Sequence, residues 1–152
     1  VRYLRTKCPK CKKKLVFLAQ SVILVYMTIK KTFSDLEFND HANNPDGIQA
    51  IMSLGNDLNI SVVSMKNSNT QYGGLYGDAS NGTYEVAVFH NDSMLPLSPF
   101  DDVLGWQTED DLNELMASLQ GDPKDIHAVI SQMHLDRSDA RSDLMLDNPH
   151  QK

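Results

Sequence analysis

The sequence predicts an α+β domain, a four-stranded antiparallel β-meander packed by one C-terminal helix and followed by a second short helix. Three observations carry that expectation. Between residues 33 and 91 apolar and polar residues alternate in four separate runs, the period of strands with one buried face. The runs are separated by stretches rich in Gly, Asn and Pro, the residues that turns require. From residue 108 the period changes to that of an amphipathic helix.

The first run, F-S-D-L-E-F, sets Phe33 opposite in phase to Leu36 and Phe38, a short strand with a break. N-N-P-D-G (43 to 47) is turn chemistry. G-I-Q-A-I-M-S-L then places Ile48, Ala50, Met52 and Leu54 on one face. After a second turn, G-N-D-L-N (55 to 59), the run N-I-S-V-V-S-M aligns Ile60 and Val62 before the alternation blurs at Val63. The link from Ser64 to Thr83 contains Gly73, Gly74, Gly77 and Gly82 and reads as a flexible loop between two antiparallel strands. Y-E-V-A-V-F-H puts Tyr84, Val86, Val88 and His90 on one face against Glu85, Ala87 and Phe89.

The helix over 108 to 120 has the strongest local coding. Thr108 is an N-cap, Asp111 stands at the capping-box position, and Glu109, Asp110 and Asp111 suit the positive end of the helix dipole. Leu112, Leu115, Met116 and Leu119 form its apolar stripe, and Gly121 closes it. Trp106 is expected to be the hydrophobic plug that docks this helix on the sheet. Asp122-Pro123 starts the second helix (122 to 135), with Ile126, Val129, Ile130 and Met133 on one face. The charged stretch 136 to 152 reads as a disordered tail. The domain itself is placed at 32 to 121.

Charge separates residues 1 to 31 from the rest. They hold nine of the fourteen basic residues and none of the twenty acidic ones, so the remainder of the 152-residue chain has five basic and twenty acidic residues, a formal −15. Such a surface repels phosphate backbones and makes the domain a poor nucleic-acid binder. The leader combines Cys8-Pro-Lys-Cys11 with an apolar run from Leu15 to Ile29. As a helix that run spans roughly 22 Å, short of a hydrocarbon core of about 30 Å. Val1 fits a GTG start, and Met27 is the alternative start that would remove the leader. Two cysteines three residues apart staple nothing, which points to a reducing cytoplasm, a host cytoplasm if the chain is phage-encoded.

The chemical motifs are thin. Cys8 and Cys11 are half of a zinc knuckle with no second pair of ligands at ribbon spacing. Gly73-Gly74-Leu75-Tyr76-Gly77 lacks the helix and lysine that follow in a phosphate loop. His127 and His134 are seven apart, where a metal pair prefers four, and no serine sits in a nucleophile elbow. No catalytic residue, metal or cofactor is assigned. The candidates that remain are partner-binding ones: Tyr72 and Tyr76, aromatics on a Gly-rich loop, and the carboxylates Asp101, Asp102, Glu109 and Asp110.

In order, Gly47-Ile48-Gln49-Ala50, Ile60-Ser61-Val62-Val63, Tyr84-Glu85-Val86-Ala87-Val88-Phe89 and Asp101-Asp102-Val103-Leu104-Gly105-Trp106-Gln107-Thr108 resemble small uncharacterised proteins of tailed bacteriophages and prophages. The resemblance covers about residues 33 to 119 and its motifs are structural. It implies a phage origin and no assigned activity. The leading expectation is an accessory protein that binds a host or phage protein without catalysis. The alternatives are an acidic mimic of nucleic acid that inhibits a basic host enzyme, and a zinc-assisted or membrane-tethered protein acting through the leader.

Overall fold

The computed structural model describes residues 29–69 and 75–146. The chain divides into two compact units, Val1–Lys30 and Lys31–Lys152, and the architecture below is that of the second. Its strands are β1 (Asn39–Asp40), β2 (Gly47–Gly55), β3 (Leu58–Met65), β4 (Tyr84–His90), β5 (Ser93–Met94) and β6 (Val103–Gln107). Two helices follow, α1 (Glu109–Ser118) and α2 (Pro123–Leu146).

All strand pairs are antiparallel, in the order β1-β2-β3-β4-β5, with β6 also on β4. One edge of β4 is taken by β3, so β5 and β6 share the other: β5 at Phe89–His90 and β6 along Tyr84 to Ala87. Two hairpins close on Asn-Asp dipeptides. Asn56 and Asp57 join β2 to β3, and Asn91 and Asp92 join β4 to β5, each with positive φ at both residues. Paired left-handed residues match the strand twist, and Asn and Asp accept that conformation at low cost.

The described residues thus make six strands where the sequence predicts four. The three long strands stand where the alternation places them. The fourth expected strand does not: Phe33–Asp35 is a 3₁₀ turn, and the paired segment is β1, which begins just after Phe38. Asp35 accounts for the difference, because its carboxylate accepts the Thr32 backbone N–H at 2.8 Å and closes a turn around Phe33. Phe33 still reaches the body of the domain, packing with Phe38 and Tyr84 at centroid distances of 5.0 to 5.9 Å.

The core cluster beneath the helices takes its sheet residues from one phase, while Val63 of the other phase is buried outside that cluster. Leu54, Leu58, Ile60, Val62, Val86 and Val88 meet Leu112, Met116 and Leu119 of α1 and its end, and Ile126 and Ile130 of α2. Each such side chain taken out of water contributes about 1.5–3 kcal/mol. The predicted capping box of α1 forms: Thr108 Oγ1 accepts the Asp111 N–H at 3.3 Å, and the Asp111 carboxylate accepts the Thr108 N–H at 2.8 Å. Asp122 starts α2 by accepting the Lys124 N–H at 2.9 Å. The helix then continues past the expected end at 135 to Leu146. Arg137 supports the extension by pairing with Asp102 and donating to the Ser98 carbonyl at 3.1 Å, which ties α2 to the loop before β6.

Gln120 joins the start of the unit to the helices. Its Oε1 accepts the Lys31 N–H at 2.7 Å, and its Nε2 donates to the Lys31 carbonyl at 2.7 Å, so one buried amide pairs Lys31 as a neighbouring strand would. Among the described residues, no helix is long and apolar enough to cross a membrane.

Candidate functional site

Side chains of the other phase occupy the second face of the sheet, and the register sets them in rows. Gln49, Val63 and Glu85 form one; Ile51, Ser61, Ala87 and Val103 the next; Ser53, Asn59, Phe89 and Met94 the last. None of these belongs to the core cluster that the helices cover. Ile51 is 69% exposed. Among the strand residues of this face Glu85 is the sole charged side chain, and no basic one is present.

At one end of the face the regular ladder is interrupted. Tyr84 pairs with Gln107 and Val86 with Leu104, so both Gly105 and Trp106 lie opposite Glu85, a β-bulge. Trp106 has φ of 58° and is 56% exposed. A bulky aromatic in the left-handed region costs on the order of 1–2 kcal/mol. The sequence predicts Trp106 as the plug beneath α1, and the structure corrects this. The bulge turns the side chain out to solvent, and Leu104 packs against the core instead.

Tyr76 is placed by contacts on three sides. Its N–H donates to Glu85 Oε2 at 2.8 Å, and its carbonyl accepts the Trp106 N–H at 2.6 Å. Its side chain lies over Gly105, where an added Cβ would come within 2.5 Å of the Tyr76 Cβ. Glycine is required there by close approach. The next residues are equally fixed. A Cβ at Gly77 would stand 2.7 Å from the Tyr84 Cα, and the Gly77 carbonyl accepts the Met65 N–H at 3.1 Å.

Asp78 is the local scaffold. Its buried carboxylate accepts the Ser80 hydroxyl at 2.7 Å, the Ser80 N–H at 3.0 Å and the Asn81 amide at 2.7 Å. These bonds, the Ser80 hydroxyl foremost, hold its pKa below the ordinary carboxylate value against the opposing effect of burial. Tyr76 is 56% exposed on this fixed support. The Tyr76 main chain thus joins Glu85 and Trp106 at the end of the second face, where both aromatics are exposed.

Comparison with protein families, curated proteins and solved structures finds no match for this chain. The residues themselves must therefore carry the functional argument.

The structure places the sequence candidates unevenly. Tyr76 is in the site. Tyr72, Cys8 and Cys11 lie outside the described residues. Asp102 is engaged by Arg137, and Asp101 stands in the loop that Ser98 closes through its hydroxyl, which accepts the Asp101 N–H at 2.9 Å. Glu109 and Asp110 are exposed in the first turn of α1, where they serve the helix dipole. Burial raises the Tyr84 pKa, and the negative charge of Glu109 raises it further. These four carboxylates do not converge on one site.

Sequence reasoning missed Glu85 and the outward turn of Trp106. The available signal was Gly105 inside the apolar V-L-G-W-Q, since a glycine in a strand pattern marks a bulge or a close backbone approach. A cleft of about 250 Å³ lies elsewhere, between the β2–β3 turn and α2, and is lined by Asp57, His90, His127 and Ile130 among others. Among the described residues no three His, Cys, Asp or Glu side chains are arranged to hold a metal ion.

Proposed function

We propose that the Lys31–Lys152 unit is a non-catalytic protein-binding domain that docks a partner on the second face of its sheet, with Tyr76 and Trp106 as anchors. In keeping with the sequence resemblance, its setting is that of an accessory protein of a tailed bacteriophage acting on a host or phage protein. The observation that carries this reading is Trp106. The chain holds its one tryptophan in a strained backbone conformation and in solvent. Strain and exposure both oppose folding, and such features concentrate where a surface has work other than stability. Exposed Trp and Tyr on a rigid support also bring large contact area at low entropic cost.

The test is affinity capture from host cells with the wild-type chain and with a Tyr76→Ala/Trp106→Ala variant. The reading expects partners retained by the wild type and lost by the variant. Identical recovery by both contradicts it.

The second reading, an acidic mimic of nucleic acid, draws on Glu109, Asp110 and Glu114, all exposed on α1. It predicts binding that collapses between low and moderate salt, whereas an interface led by aromatic anchors weakens little.

A further inference from the structure

We propose that the site formed by Tyr76, Glu85 and Trp106 receives a cationic side chain, an arginine or lysine, from an extended basic segment of the partner protein. This rests on the protein-binding reading above and names the chemistry of what docks.

Three features of the site fit a cation. Glu85 is the sole charge among the strand residues of the face, so an arriving cation meets a carboxylate and no competing lysine or arginine there. Its Oε2 is fixed by the Tyr76 N–H at 2.8 Å, which holds the carboxylate in place before any partner arrives. The Tyr76 main chain links that carboxylate to Trp106, since its N–H holds Glu85 and its carbonyl accepts the Trp106 N–H at 2.6 Å, and both aromatics are 56% exposed. A cation over Trp or Tyr beside a carboxylate gains both from the ring quadrupole and from the opposite charge.

The charge of the unit selects the same class of partner. Residues 32 to 152 carry five basic and twenty acidic residues. The acidic unit of a second copy would bring like charge to like charge, and a basic segment brings the complement. Apart from Glu85 the rows beside the site are uncharged, from Gln49 and Val63 through Ile51, Ser61 and Ala87 to Asn59 and Phe89, a surface on which an extended backbone can lie without a competing charge.

Because Trp106 is the chain's one tryptophan, its emission reads the site directly. The full chain is titrated to millimolar concentration with a blocked seven-residue Thr/Val peptide bearing one central arginine, and in parallel with the same peptide bearing neutral citrulline. The proposal expects a saturable change in Trp106 emission with the arginine peptide and a much weaker one with citrulline. Glu85→Gln keeps an acceptor for the Tyr76 N–H and loses the charge, and should weaken arginine-peptide binding about five- to thirty-fold. Asp139→Asn, exposed on the far half of α2 and removing an equal charge, should leave it within about two-fold.

Equal binding of both peptides, or undiminished binding by Glu85→Gln, overturns the cation assignment and leaves the protein-binding reading standing. No emission change with either peptide likewise overturns the assignment. A concentration-dependent dimer in sedimentation that Trp106→Gly abolishes assigns the face to a second copy and overturns it too. Failure of the broader reading shows separately, as identical partner recovery by wild type and the Tyr76→Ala/Trp106→Ala variant.

Discussion

The two faces of the sheet are built from alternate residues of the same strands, yet they answer to different demands. On the helix-covered face Leu58, Ile60, Val62, Val86 and Val88 have no solvent exposure. One residue along, Asn59, Ser61 and Ala87 are half-buried, and Ile51 is open to water. The first face is chosen for volume and burial. The second mixes polar and apolar side chains with a single carboxylate, and has exposed aromatics at its end. A register slip by one residue would exchange the two sets, so the long β2–β3 pairing protects the second face as much as the core.

If that division holds, substitutions should differ in consequence by face. The largest effect is expected in the core: Ile60→Ala or Leu112→Ala should lower unfolding free energy by about 2–5 kcal/mol, measured by urea denaturation. Next comes Gln120→Ala, which leaves the Lys31 N–H and carbonyl without their partner and should cost about 1–3 kcal/mol. Thr108→Ala removes one half of the capping box and should cost about 1 kcal/mol. On the second face Ile51→Ser should change stability by no more than about 0.5 kcal/mol.

A further difference is one of pH. The Asp78 pKa is lowered in the folded state, chiefly by the Ser80 hydroxyl. Its stabilising contribution is therefore complete above the unfolded carboxylate value, near 3.9, and is lost as pH falls through the folded value. Asp78→Asn should flatten the fall of the urea midpoint below pH 4 and leave its pH dependence between 5 and 7 unchanged.

The covered face was largely legible in the sequence. Alternation located the long strands, and the inward set Ile60, Val62, Val86 and Val88 is the one the pattern gives. The helix α1 was legible because its cap, dipole charges and apolar stripe all agree. What resisted was short or irregular. β1 and β5 have two residues each and no periodicity to read, although Asn91-Asp92 repeats the dipeptide that closes β2–β3. β6 was hidden by its bulge, which breaks the alternation at Gly105-Trp106. The far half of α2 has little amphipathic pattern, and its tie to Asp102 through Arg137 is a long-range contact that local coding cannot reveal. The site was half legible. Tyr76 stood out as an aromatic among glycines, but its partners Glu85 and Trp106 come from other strands and meet it only through the fold.

The most direct test of the division between faces is the unfolding free energy of Trp106→Gly. Glycine adopts positive φ without strain, and the lost indole is mostly solvated. The account predicts a variant as stable as the wild type or more so by up to about 1 kcal/mol. A loss of about 2 kcal/mol or more would mean that Trp106 belongs to the packing of the domain, and would contradict the assignment of this face to binding.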